Sequence, residues 1–119
     1  MDMYQQPTGP FEVQAGLTAL LRRTAHLTNA TVVILERRTS RGVAVACAHG
    51  IDLDAAATLT KGLGDRIDAG FEITLVKPIV DGAGASRARL WILDRDRRSI
   101  DAESRAGIAS IAHEIAGLV

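Results

Sequence analysis

Aromatic residues are scarce in this sequence: one Trp, one Tyr and two Phe among 119 residues. A core built from it must rest on Ala, Val, Ile and Leu. It offers few ring faces on which a nucleobase or another flat ligand can stack. The single cysteine, Cys47, excludes an internal disulfide and a Cys-rich zinc site. Neither sign of charge prevails. Fourteen basic and fourteen acidic residues leave a formal net charge of zero, without the broad positive field of a nucleic-acid binder. Long hydrophobic runs are missing as well, and no stretch approaches the ~18 apolar residues that cross a bilayer. The segment from Met1 to Pro7 has neither the basic region nor the apolar run of a signal peptide. A cytoplasmic location is therefore expected, with neither nucleic acid nor membrane as a partner.

What is present is an ordinary globular composition, 47% apolar. A chain of this length buries roughly two-thirds of its unfolded surface, enough for one core. Residues 1–8 are polar and read as a flexible tail, leaving a single domain over 9–119. Pro10 opens a helix, with Glu12 in its first turn and Leu17, Leu20, Leu21, Thr24 and Leu27 on one stripe. Thr31 to Leu35 is a β-branched run of strand length. A polar turn, Arg37 to Arg41, leads to a second strand, Gly42 to His49, and the two form an antiparallel hairpin. Strict alternation along that strand puts Val43, Val45, Cys47 and His49 on one face and Ala44, Ala46 and Ala48 on the other.

Gly50 breaks the strand, and Asp52 or Asp54 can cap the next helix. Its stripe runs Ala56, Leu59, Leu63, Ile67, with a break expected near Gly64 and a stop at Gly70. A third strand spans Phe71 to Val80, with Pro78 making it an edge or ending it. After the flexible turn Asp81 to Ala85 comes a fourth strand, Arg87 to Leu93. Asp101 can cap the final helix, whose stripe is Ile108, Ile111, Ile115 and Leu118. The order α-β-β-α-β-β-α argues for an α+β fold on an antiparallel sheet of about four to five strands.

Several of these segments resemble the GAF domain family. The likeness is closest at the end: Pro78-Ile79-Val80, a Gly-rich turn, Arg89-Leu90-Trp91-Ile92-Leu93-Asp94, then Arg98-Ser99-Ile100-Asp101-Ala102-Glu103 and Ile111-Ala112-His113-Glu114-Ile115-Ala116. The opening helix, the Thr31-Val32-Val33 strand and the strand ending His49-Gly50 fit as well, so the likeness covers about residues 10 to 119. It implies a GAF-like (profilin-like) sheet, with the N- and C-terminal helices on one face and the middle helix on the other. One departure is a short segment between the middle helix and the third strand, where many GAF domains carry extra structure that closes over a ligand. GAF domains bind cyclic nucleotides, haem, bilins, amino acids or small metabolites, or serve as dimer scaffolds, and fold alone does not choose among these.

The resemblance implies a stand-alone regulatory module in signal transduction, not an enzyme, that senses a small molecule, mediates dimerisation, or both. The alternative is a ligand-free dimerising adaptor of roadblock-like type that binds a partner protein. No acid, base and nucleophile set can be assembled from the residues, and no cofactor is called for. Polar groups flanking the middle helix and adjoining strands, His49, Lys61, Arg66, Lys77 and Arg87, are the candidate ligand-binding residues, and their charge suits a small anionic metabolite. A homodimer is expected through the terminal helices, with Leu17, Leu20, Leu21, Ile108, Ile111 and Ile115 as candidate interface residues. A partner signalling protein is the other expected contact.

Other reactive residue types have plainer roles beside the functional ones. His49 is a candidate for a pocket or for haem iron, against a strand-end histidine bonded to nearby backbone. Cys47 is a candidate thiol, against a small core hydrophobe; the GAF-related methionine sulfoxide reductases need several cysteines. Asp52 and Asp54 suit a helix cap better than a cation, since no third ligand is near. His26, His113 and Glu114 lie on the terminal helices, and His113-Glu114 lacks the second histidine of a zinc helix. The basic segments Arg37 to Arg41 and Arg95 to Arg98 are solvated turns that can also meet a phosphate or an acidic partner.

Overall fold

The computed structural model describes residues 10–62, 72–95 and 100–119. Among them are three helices and four strands: α1 (Pro10–Thr28), β1 (Val32–Thr39), β2 (Gly42–His49), α2 (Leu53–Gly62), β3 (Glu72–Val80), β4 (Ser86–Asp94) and α3 (Ala102–Ala116). The strands form one antiparallel sheet in the order β2-β1-β4-β3. This is the expected α+β order. The expected break near Gly64, the stop at Gly70 and most of the Arg95 to Arg98 segment lie outside the described residues.

Helix ends follow from local chemistry. The φ of Asn29 is 56°, a left-handed conformation that asparagine tolerates, and the Ala30 amide donates to the Ala25 carbonyl at 3.1 Å. Together these close the last turn of α1. The Asp52 carboxylate accepts from the Ala55 amide at 2.7 Å, so Asp52 and not Asp54 caps α2. Asp101 caps α3 through the Ser104 amide at 2.7 Å, and that bond holds its carboxyl below the ordinary value of 3.8.

The sheet has two covered faces. On one, Leu17, Leu20 and Leu21 of α1 and Ile108, Ile111 and Ile115 of α3 pack on Val33, Leu35, Ile79, Leu90 and Ile92. On the other, Ala56 and Leu59 of α2 pack on Val32, Ile34, Trp91 and Leu93. Burial on both faces is why Val32 to Leu35 reads as an unbroken apolar run. Each large side chain so enclosed contributes about 1.5–3 kcal/mol relative to exposure. The strands run further than their apolar parts suggest. Arg37, Arg38 and Thr39 pair with Ala44, Val43 and Gly42, so the polar turn shrinks to Ser40-Arg41. These residues are exposed, so nothing selects apolar side chains there.

Strict alternation fails in β2. Leu35 pairs with Cys47 but Glu36 pairs with Val45, leaving Ala46 as an extra, bulged residue. The bulge divides the face expected to hold four residues. Cys47 packs with α1, where its Sγ lies 3.5 Å from Thr18 Oγ1, and His49 sits opposite Val33 on that same side. Val45 packs on the α2 side, and Val43 points the same way two residues earlier. Alternation along the sequence could not have revealed this, because one inserted residue reverses every side chain beyond it.

Gly50 makes the turn from β2 into α2 possible. Its φ is +81°, and a Cβ there would stand 2.1 Å from the Thr31 carbonyl oxygen. Backbone cannot yield at that distance. Gly50→Ala is expected to lower unfolding free energy by about 3 kcal/mol, read as a fall in denaturant midpoint at unchanged m-value.

Candidate functional site

Beside the C-terminal half of α2, the described residues leave the sheet partly uncovered. The result is a half-open cleft of about 360 Å³. Its roof is Ala57, Thr60 and Lys61 of α2. Its floor is Val43, Val45 and Trp91, with Glu36 and Arg89 at the inner corner. The bulge at Ala46 is what aims Val43 and Val45 into this space. The apolar part of the lining comes from these valines, the alanines and the indole.

Glu36 and Arg89 are direct cross-strand partners on β1 and β4. Arg89 Nη2 lies 2.6 Å from Glu36 Oε1, and the indole N–H of Trp91 donates to the same oxygen at 3.4 Å. The guanidinium carbon of Arg89 stands 5.2 Å from the centre of the Trp91 ring. This cation–π contact fixes the plane of the arginine fork. Glu36 is only 5% exposed, whereas the Arg89 side chain is 47% exposed. A buried carboxylate therefore anchors a cation whose side chain stays half open to solvent.

Of the residues expected at a ligand site, Lys61 lines the cleft. His49 lies opposite Val33 on the α1/α3 side, and Lys77 sits opposite Leu90 on that same side. Arg87 is the extra residue of a second bulge and pairs with Asp81 at 3.4 Å in the β3–β4 turn. Asp81 also accepts from the amides of Ala85 and Ala83, and with Arg87 these hold its carboxyl below 3.8. Arg66 lies outside the described residues. Leu17, Leu20, Leu21, Ile108, Ile111 and Ile115 are all buried within the protomer against the sheet. The outward sides of α1 and α3 carry Ala15, Ala19, Ala106 and Ala109 instead, with an Arg23–Glu114 pair at 3.3 Å between the helices.

Sequence reasoning did not pick out Glu36, Arg89 or Trp91. A signal was available. Glu36 follows the fully apolar run Val32 to Leu35 at the point where a buried strand must find a partner for any charge. Arg89 and Trp91 share a face two residues apart. No group of three or more His, Cys, Asp or Glu is placed to hold a metal ion among the described residues. No helix among them is long and apolar enough to cross a membrane.

The arrangement of helices on this sheet matches several solved structures. The GAF domain of a phosphoenolpyruvate-protein phosphotransferase from Acinetobacter superposes with a TM-score of 0.71 at 9% identity, over 96% of this chain and 84% of that one. Its fold is that of the GAF domains. The GAF domain of a putative sensor histidine kinase from Pseudomonas syringae gives 0.67 at 17% identity over 95% and 75% of the two chains. A GAF domain/HD domain protein from Geobacter sulfurreducens gives 0.66 at 15% identity over 91% and 92%. No protein-family model and no curated protein matches the sequence.

The Glu36–Arg89 pair in this GAF-like domain makes a measurable claim. A double-mutant cycle with Glu36→Gln and Arg89→Met is expected to give a coupling of about 0.5–1.5 kcal/mol in unfolding free energy. Arg89→Met alone is expected to cost more than Glu36→Gln alone, because it leaves the buried carboxylate without its cation, whereas the guanidinium left by Glu36→Gln is half exposed.

Proposed function

We propose that this GAF-like domain is a non-catalytic regulatory module that binds a small anionic molecule in the cleft between α2 and the sheet and signals through dimer or partner contacts. The observation that carries this reading is the concave space of about 360 Å³, where Lys61, Thr60, Arg89 and Glu36 converge on an otherwise apolar lining. That combination of a shaped apolar wall and a few placed polar groups is what small-molecule sites require. Paired to Arg89, Glu36 is neutralised locally, so Lys61 gives the cleft its excess charge and favours an anion. Its surroundings in the cell are taken to be the cytoplasm. The cleft also weighs against the ligand-free adaptor of roadblock-like type, which has no use for one.

Ala57→Trp fills the cleft from its roof without touching the core beneath Leu59. Native mass spectrometry of the protein purified from cells is expected to show a non-covalent adduct that denaturation removes and that Ala57→Trp lacks. A clean mass for the unaltered chain would count against the sensor.

Dimerisation is proposed through the outward sides of α1 and α3, since the inward leucines and isoleucines are enclosed in the protomer core. Light scattering is expected to give the mass of two chains, and Ala19→Arg is expected to return it to one. A monomeric mass for the unaltered protein would overturn this.

A further inference from the structure

We infer that the cleft is one lobe of a two-lobed site whose second lobe, at the turn ends of the two hairpins, holds the anionic head of an amphipathic ligand. The inference rests on the reading that the cleft binds a ligand, and it assigns the ligand's shape and orientation. A second hollow of about 170 Å³ adjoins the first. Glu36, Val43 and Arg89 line both, so the two hollows share a wall. Arg38 and Ser86 belong to the second alone.

The lobes differ in chemistry. The first is walled by Val45, Ala57 and the Trp91 indole, the second by Arg38, Ser86 and the outer part of Arg89. Among the described residues, Glu36 supplies the only carboxylate to either hollow, and it is bound to Arg89. Arg38 forms no ion pair among the described residues. A carboxylate or phosphate in the second lobe therefore meets an uncompensated guanidinium, the open side of a second one and a hydroxyl donor. A cation there meets two like charges.

Spacing sets the ligand's length. Glu36 and Arg38 lie on the same side of β1, two residues apart, which is about 7 Å along a strand. A ligand that serves both lobes carries its anionic group about that far from the centre of an apolar body. Trp91 is the only tryptophan and it floors the first lobe, so its fluorescence reports occupancy.

The test titrates the full chain with four probes that share one apolar body: phenylbutyrate, phenylpropyl phosphate, the neutral phenylbutyramide and the cationic phenylbutylamine. Trp91 fluorescence and backbone amide shifts are followed together. Both anions are expected to saturate, and the relative strength of the two tells carboxylate from phosphate as the natural head. The amide is expected to bind about tenfold more weakly. Arg38→Met and Ser86→Ala, both exposed and remote from the core, are expected to weaken the anions, about tenfold for Arg38→Met, and to leave the amide unchanged. Equal binding of amide and carboxylate, tighter binding of the amine, or anion binding untouched by Arg38→Met would overturn the two-lobed site while leaving the cleft a ligand site. No response of Trp91 to any probe would remove the cleft reading itself, and this inference with it.

Discussion

Val32, Val33, Ile34 and Leu35 are fully buried with helices over both sides of their strand, and this two-sided enclosure organises the rest of the molecule. Side chains at even positions meet α2 and those at odd positions meet α1 and α3. Position 36 falls on the α2 side, just past the reach of the helix. A carboxylate there loses most of its water, so it must be paired. Arg89 is the residue that the β1–β4 register sets opposite it. The charged corner of the cleft is thus a result of where the central strand leaves the core.

Trp91 belongs to both parts of this arrangement. It is buried among Val32, Ile34 and Leu93, and its indole also supports the guanidinium of Arg89 and donates to Glu36. Fixed contacts of this kind keep the arginine fork in one orientation before any ligand arrives. For the proposed ligand, binding would not have to order that side chain, which favours affinity without adding a contact.

The helices were legible because their signals are local. Stripes at spacings of three and four, an aspartate before each of α2 and α3, and Asn29 after α1 all act within a few residues. The β1–β2 hairpin followed from its short polar connection and the antiparallel sheet from hairpins separated by a helix, whereas the order β2-β1-β4-β3 in space emerges only in the structure. The site was much less legible. Its floor depends on Ala46, whose status as an extra residue is a property of the pairing with β1 and leaves no mark on the pattern of β2 itself. A small residue fits either side of a sheet, so alternation through Gly42 to His49 looks regular in the sequence when it is broken in space. The polar groups at the corner were hidden for a related reason. A glutamate and an arginine in separate strands look like solvated surface until the register makes them neighbours.

Ala46 has an effect beyond the cleft. It lies in β2, an edge strand of the described sheet, and its carbonyl accepts from Gln14 Nε2 at 3.0 Å. An open strand edge is a template on which another chain can extend the sheet. Here the edge kinks at the bulge, and a side chain from α1 already occupies one of the acceptors that an incoming strand would need. At the opposite edge, Pro78 has no amide hydrogen to offer and two further bulges interrupt the pairing of β3. The departures from regular pairing therefore leave both edges of the described sheet poor templates for a further strand.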